Sequence, residues 1–184
     1  KEASKQEIIR RYYQSMNRYA NDEATSDEVY KLELLMKQAK ITTNDRPVVP
    51  YANELASKMN SPAAALELPD GTIVTGKTSS LLGAVSAVLL NAVKKLGGIP
   101  DDVHLISPTF IEPIQKLKTD YLGSKNPRLH TDEVLIALSM CAATDENARD
   151  ALMQLPKLAG CQLHTTVILS SVDMNTFKRL GIDV

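Results

Sequence analysis

The chain has 184 residues, 43% hydrophobic and 23% charged, with 21 basic and 22 acidic side chains. This composition is typical of a globular chain that buries a sizeable core, and the balanced charge lacks the basic excess of nucleic-acid-binding proteins. Aromatic residues make up 4% and tryptophan is absent, so platforms for base stacking, and with them a nucleic-acid partner, are not expected. The longest apolar run, residues 81–93, is too short to cross a bilayer, so no membrane partner is expected either.

Two amphipathic helices are predicted at the start of the chain. Apolar side chains recur at helical spacing along residues 3–20 and again along residues 29–39, with charged side chains on the opposite faces. We therefore divide the chain into a helical arm or hairpin over residues 1–46 and an α/β domain over residues 47–184. Because the first helical pattern is already under way at Lys1, we expect the chain to be a fragment of a longer protein.

Layers of strands and helices are predicted for the rest of the chain. Four strand-like runs occur, over residues 63–68, 72–75, 103–106 and 161–169. Helical patterns separate the later runs, with Ser79, Thr131 and Asp173 as predicted N-caps. This order favours an α/β fold in which a β-hairpin joins a mixed, partly parallel sheet layered with helices. It is similar to the order of the cytidine-deaminase-like fold, but the H-x-E and P-C-x-x-C zinc motifs are missing from the sequence.

The segment Gly71–Thr78 matches the P-loop pattern G-x-x-x-x-G-K-[ST]. A P-loop wraps backbone N–H groups around phosphates and needs a bent, flexible loop. Residues 72–75 instead favour extended pairing, because all four are β-branched, and Pro69-Asp70-Gly71 already explains the first glycine as a turn residue. We interpret the segment as the return strand of a β-hairpin and keep the P-loop as the alternative.

A narrower hypothesis places an anion where this segment meets the predicted helix over residues 80–96. The N–H groups and the dipole of a helix N-terminus favour negative charge. The candidate ligands are Gly76, Lys77, Thr78, Ser79 and Ser80. Lys77 would add charge, and the hydroxyl groups would add donors. Simple helix capping is the alternative interpretation of the same residues.

A second polar cluster lies in the loop over residues 123–128 and at the start of the next helix. Lys125, Asn126 and Arg128 are candidate ligands that would close over the anion, with Arg128 as a bidentate clamp. His130 is a weak candidate for a catalytic acid or base. The alternative is a solvated loop followed by a charge-capped helix.

The cysteine and histidine pattern predicts no metal site. The sequence has no C-x-x-C pair and no H-E-x-x-H motif, so no metal ligand and no cofactor is identified. Cys141 and Cys161 lie among apolar or small residues, which indicates reduced, buried thiols and a cytoplasmic setting.

Several long runs of the sequence resemble one bacterial family. They are EASKQEIIRRYY, LPDGTIVTGKTSSLLGA, LKTDYLGSKNPRLHTDEVLIALS and QLPKLAGCQLHTTVILS. The family is domain of unknown function 1846, also called uncharacterised protein family 0371. The resemblance implies a much longer cytoplasmic protein of which this chain is the C-terminal part. It also implies an N-terminal part, absent from this chain, with its own glycine-rich, phosphate-loop-like segment. No reaction is assigned to the family, so no catalytic residue is transferred.

Two functions remain open from the sequence. The first is a phosphate- or nucleotide-type ligand-binding domain of a larger cytoplasmic protein, whose partner is a small anionic ligand. The second is a non-catalytic assembly domain that docks on the missing N-terminal part or on a second copy of itself in a homo-oligomer. Whether the chain is an enzyme is left undecided.

Overall fold

The structure is a computed structural model that describes residues 2–184. Eight α-helices lie in the described residues: α1 (Glu2–Ala20), α2 (Ser26–Ala39), α3 (Val48–Met59), α4 (Ala84–Leu96), α5 (Pro108–Lys116), α6 (Thr131–Cys141), α7 (Glu146–Met153) and α8 (Ser171–Leu180). Three strands accompany them: β1 (Ala63–Glu67), β2 (Ile73–Lys77) and β3 (Gln162–Thr165). A π-helical turn, Leu117–Tyr121, extends α5. The predicted α/β class is confirmed.

The three strands form one antiparallel sheet in the order β2-β1-β3. The partly parallel sheet predicted from the sequence is therefore wrong. Its extra strand, over residues 103–106, does not form, because Leu105 and Ile106 enter the core without joining a ladder. Parallel pairing in the described residues is limited to two isolated bridges, Leu82–Leu129 and Gln162–Asp183.

The hairpin predicted from Pro69-Asp70-Gly71 is confirmed. Ile73 pairs with Glu67 and Lys77 with Ala63 across the two strands. Gly71 has φ +82°, which favours glycine, and its N–H donates to the carbonyl of Leu68 at 2.9 Å. The residues between the two glycines of the P-loop match thus belong to a strand and its turn, and they do not form a phosphate-wrapping loop.

Helices cover both faces of the sheet, and the alternation of β1 sets which residue meets which helix. Ala64 and Leu66 belong to the main core with α4, whereas Ala65 packs with Val48 and Ala52 of α3. Gly76 of β2 lies directly against α4, since a Cβ atom there would be 2.8 Å from the carbonyl oxygen of Ala84 and would collide with the backbone of Val88. The role of this glycine is close strand–helix packing.

Three predicted helix starts are displaced in the structure. The N-cap of α4 is Gly83, because Ser79 instead uses its hydroxyl oxygen to accept the N–H groups of Leu81 and Leu82 in a turn. The N-cap of α6 is His130 and that of α8 is Ser170, each before the residue predicted from sequence. Because α4 begins later than predicted, Leu82 precedes the helix and pairs with Leu129. This pairing brings the segment over residues 76–80 close to the loop over residues 123–128.

The first two helices form as predicted, and α1 lies against the sheet. The ring of Tyr13 is 4.5 Å from that of His164 on β3, and Gln14 donates to the carbonyl of Val184 at 3.4 Å. The helix α2 ends at a left-handed C-cap, Lys40 (φ +53°), and residues 41–47 connect it to α3. The division into an arm over residues 1–46 and a domain over residues 47–184 stays a prediction.

Candidate functional site

The N-termini of three helices meet at one cavity of about 330 Å³. The cavity is lined by the start of α4 (residues 83–86), by residues 128–130 before α6, and by residues 167–170 before α8. Thr78, which follows β2, and Asn126 complete its polar wall. The first turns of α6 and α8 are capped by Asp173, Asp132 and Ser170, whereas the N-terminus of α4 has no side-chain cap. The partial positive charge of the α4 N-terminus therefore favours an anion in this cavity.

The N-terminus of α4 is open toward this cavity. Gly83 has no side chain with which to cap the helix, and Ala87 is the first residue of α4 whose N–H bonds back to Gly83, at 3.0 Å. The N–H groups of Ala84, Val85 and Ser86 therefore lack intrahelical acceptors. All three residues are buried and line the cavity.

Arg128 is held beside this helix end by its backbone and by one donor of its side chain. Its Nε donates to the carbonyl of Ser79 at 2.7 Å, and its own N–H donates to Oδ1 of Asn126 at 3.1 Å. The other guanidinium nitrogens form no hydrogen bond to the described residues. They remain available to an anionic ligand in the cavity.

Lys118 fixes the loop that carries Arg128. Its buried ammonium group donates to the carbonyl of Arg128 at 2.6 Å and to Oε2 of Glu133 at 2.7 Å. The same Glu133 oxygen accepts the N–H of His130 at 2.8 Å. The loop and the start of α6 are thus tied together through one buried cation.

Asp173 and His130 form a side-chain pair at the floor of the cavity. Oδ2 of Asp173 lies 3.2 Å from Nδ1 of His130 and accepts the Ser170 hydroxyl at 2.8 Å. Its Oδ1 accepts the N–H and the hydroxyl of Thr131, at 2.9 and 2.8 Å. Burial alone would raise the pKa of Asp173, but these hydrogen bonds outweigh it and hold the pKa below its usual value. Asp173 is therefore an ionised carboxylate that joins α6 to α8.

The structure brings together four of the nine residues proposed from sequence. Thr78, Asn126, Arg128 and His130 line the cavity. The other five do not line it: Gly76, Lys77, Ser79, Ser80 and Lys125. The anion site was expected at Gly76–Ser80 because a helix was expected to begin there, and the helix begins instead at Ala84.

The five residues outside the cavity pack, form hydrogen bonds or face solvent elsewhere. Gly76 packs on α4, and Lys77 is exposed at the end of β2. Ser79 closes a turn with its hydroxyl, and the carbonyl of Ser80 accepts the Gln115 side chain at 3.0 Å. Lys125 is exposed in the loop.

Sequence reasoning assigned Asp173 only a capping role and missed its contact with His130. The contact of Asp173 with Ser170 could have been predicted from sequence, because the two residues have the spacing of a capping box. In the structure Asp173 donates its N–H to the Ser170 hydroxyl oxygen at 3.1 Å. The contact between α6 and α8 spans more than 40 residues and has no local signal.

The described residues show neither a metal site nor a membrane span. No group of three or more His, Cys, Asp or Glu side chains in residues 2–184 is placed to hold a metal ion. None of the helices in this part of the chain combines the length and apolar character needed to cross a bilayer.

Comparison with known proteins places the chain in a family. A family model described as domain of unknown function DUF1846, C-terminal, matches residues 44–184. The chain belongs to this family. It is 54% identical to a UPF0371 protein of Corynebacterium urealyticum over 99% of the chain and 37% of that protein.

Other relatives carry the same family name. A UPF0371 protein of Corynebacterium diphtheriae is 53% identical over 98% of the chain and 36% of its own length. One of Streptococcus pyogenes is 48% identical over 100% of the chain and 37% of its own length. The chain thus spans a little over one third of the relatives it matches, and the resemblance seen in the sequence is confirmed. These relatives are uncharacterised, so the family carries no assigned function.

Proposed function

We propose that the chain binds the phosphate group of a small molecule in the cavity between α4, α6 and α8. The observation that carries this proposal is the meeting of Arg128 with the open N-terminus of α4 at one cavity. Arg128 supplies free guanidinium donors, and α4 supplies three N–H groups without intrahelical acceptors. Phosphate is the ligand whose charge and several acceptor oxygens satisfy both sets of donors at once.

The size and rim of the cavity favour a phosphate ester over free phosphate. A volume of about 330 Å³ is at the lower end of small-molecule sites and exceeds what a phosphate group alone occupies. Val167 and Ile168 line it as well, and these residues are 40% and 53% exposed. These apolar side chains would contact the organic part of the ligand, as the base of a nucleotide would require.

Calorimetry on the complete polypeptide tests this function. We expect inorganic phosphate and AMP to bind, and Arg128→Gln to weaken both by at least about tenfold, since a charged bidentate contact contributes roughly 1.5–3 kcal/mol. Lys125→Gln is the matched control, because Lys125 lies in the same loop but outside the cavity. It should change affinity less than about twofold, because its charge lies outside the cavity and is screened by solvent. Absence of heat with either compound, or equal losses in the two variants, contradicts the proposal.

We also propose that this domain belongs to a larger, cytoplasmic protein. The relatives are almost three times as long as the chain, so we place this domain within a larger protein. Cys141 and Cys161 are both buried and unbridged, which supports a reducing, cytoplasmic compartment.

A specific observation favours an assembly role as the second candidate. The helices α1 and α2 expose large apolar side chains: Met16, Tyr19, Tyr30, Leu34 and Leu35, all between 39% and 59% exposed. A concentration of such residues on one pair of helices is typical of an interaction surface. The rest of the complete protein, or a second copy, would cover it.

A further inference from the structure

We infer that His130 and Asp173 act as a proton-transfer pair that hydrolyses a phosphate monoester in the cavity. This inference rests on the proposed phosphate site and adds a reaction to it. His130 is the catalytic residue, because it lines the cavity and its side chain is 31% exposed. Asp173 is a positioning residue, because it acts on the ligand through the imidazole.

The Asp173 carboxylate decides which nitrogen of His130 faces the ligand. An ionised carboxylate can only accept, so Nδ1 of His130, 3.2 Å away, carries the proton of the neutral ring. The lone pair is then on Nε2. That nitrogen forms no hydrogen bond to the described residues, and the His130 side chain is 31% exposed at the cavity. A proton acceptor is thus presented to whatever occupies the site.

Asp173 is itself held in one orientation. Both of its oxygens are engaged by groups at the N-termini of α6 and α8, and its side chain is only 9% exposed. A carboxylate fixed by two helices cannot swing toward solvent, so the imidazole it holds is also fixed. Such a bond between a base and an orienting carboxylate is the arrangement that general-base catalysis requires.

Arg128 and the N-terminus of α4 place the other reactant. A phosphate bound by them would have its charge partly neutralised by the guanidinium and the α4 N–H groups, which lessens repulsion of the incoming nucleophile. Solvent reaches the cavity past the half-exposed Val167 and Ile168. Water is therefore the nucleophile available beside Nε2.

The step balances with water as the only co-reactant. Nε2 of His130 takes a proton from water while the water oxygen forms a bond to phosphorus. The bond between phosphorus and the ester oxygen breaks, and its electron pair stays on the leaving alcohol oxygen. The imidazolium then releases its proton to solvent while the leaving oxygen takes one proton from solvent, which yields the free alcohol and inorganic phosphate and restores neutral His130.

Turnover of p-nitrophenyl phosphate by the complete polypeptide tests the pair. We expect His130→Asn to lower kcat at least about 100-fold, the lower range for general-base catalysis. Asparagine is a good N-cap, so α6 is retained in this variant. The affinity for inorganic phosphate should change less than about threefold, because Arg128 and α4 still hold the anion. His104→Asn is the matched control, since His104 is exposed outside this cavity, and it should leave kcat unchanged.

Asp173→Asn separates positioning from mere structure. The amide can donate to Nδ1, which moves the imidazole proton to Nε2, and ¹⁵N NMR of the His130 ring then reports the changed tautomer. We expect kcat to fall by about 100-fold or more with KM nearly constant. If this variant unfolds by circular dichroism, His130→Asn decides the question alone.

The outcomes distinguish this inference from the proposed function. Phosphate binding that depends on Arg128, without turnover of p-nitrophenyl phosphate above that of His130→Asn, overturns the proton-transfer pair and leaves the binding function standing. Turnover that survives His130→Asn also overturns it. Absence of phosphate binding removes the proposed function, and the inference that rests on it falls as well.

Discussion

His164 is a buried base in the middle of the structure. It lies on β3 with 6% of its surface exposed, and its ring contacts that of Tyr13 on α1. Burial, helped by the nearby Arg46 guanidinium, lowers the pKa of His164 to about 4. In the unfolded chain the same group titrates near pH 6.5. Between about pH 4 and 6.5, His164 is therefore neutral in the folded chain and protonated in the unfolded chain.

This difference predicts a dependence of stability on pH. Between about pH 4 and 6.5 the unfolded chain binds a proton that the folded chain does not, so the free energy of unfolding falls as the pH falls. The contribution is fully present above pH 6.5 and amounts to at most about 3 kcal/mol. Urea unfolding at pH 4.5 and 7.5 should show a smaller difference for His164→Gln than for the unchanged protein.

The exposed His104 supplies the control for this measurement. His104→Gln should keep the full pH dependence, because it leaves the buried imidazole of His164 in place. Only the slope against pH is compared, since His164→Gln also loses the contact with Tyr13. Identical slopes for the two variants would show that His164 does not carry this dependence.

At the scale of elements, the contact between β2 and α4 depends on Gly76. An alanine Cβ would lie 2.8 Å from the carbonyl oxygen of Ala84 and would clash with the backbone of Val88. Neither obstacle is the end of a flexible side chain, so the strand and the helix would have to separate. We expect Gly76→Ala to lower the free energy of unfolding by about 3 kcal/mol, the upper range for overpacking.

Gly83→Ala is the matched control at the other end of the same connection. A Cβ atom on Gly83 has no neighbour within 4 Å, and its φ of −69° suits any residue. The weaker capping by alanine is offset by the lower entropy of its unfolded chain, so the change should stay within about 0.5 kcal/mol. Thermal or urea unfolding of the two variants measures the difference. Similar losses in both would contradict the packing explanation.

The connection from β2 to α4 also shows what the sequence could predict and why. The hairpin was predictable because Pro69-Asp70-Gly71 acts through local backbone preferences. The start of α4 was not, since the Ser79 hydroxyl can cap a helix or close a turn with equal local chemistry. The choice is made by Leu82 pairing with Leu129, a contact between segments 47 residues apart in sequence.

The residues of the candidate site also divide into those that the sequence could predict and those that it could not. Thr78, Asn126, Arg128 and His130 were identified by residue type and neighbourhood, and the structure places them at one cavity. Asp173 was recognised only as a cap, because its bonds to Thr131 and His130 connect two helices distant in sequence. The predicted strand over residues 103–106 failed for a related reason: apolar residues show burial but not whether a pairing edge is within reach.

At the scale of the whole molecule, α1 and α2 have two different faces. The inner face packs on the described chain through Ile9, Tyr13 and Met36, which form or border a small core. The outer face of α2 exposes Tyr30 by 59% and Leu34 by 39%. These two residues are one helical turn apart, so their side chains lie side by side. The family model begins at residue 44, after both helices.

The outer face of α2 provides the test of an assembly role. If the rest of the complete protein or a second copy covers this face, a cysteine at position 30 is shielded. We expect Tyr30→Cys in the complete native protein to react with a maleimide at least about ten times more slowly than Lys116→Cys. Lys116 is an exposed, charged residue of α5, and such residues are depleted from interface cores. Cys141 and Cys161 are buried, so these two thiols should add little background, and labelling of the unchanged protein measures the rest.

Two further measurements make the result specific to the native assembly. Labelling in denaturant should equalise the two rates, which excludes an intrinsic difference in thiol reactivity. Slow labelling of Tyr30→Cys that persists on dilution assigns the cover to the same polypeptide, whereas slow labelling that is lost on dilution assigns it to a second copy. Equal rates for Tyr30→Cys and Lys116→Cys in the native protein mean that the face is open to solvent, and the assembly role is then wrong. The phosphate site between α4, α6 and α8 does not depend on this outcome, because neither α1 nor α2 lines that cavity.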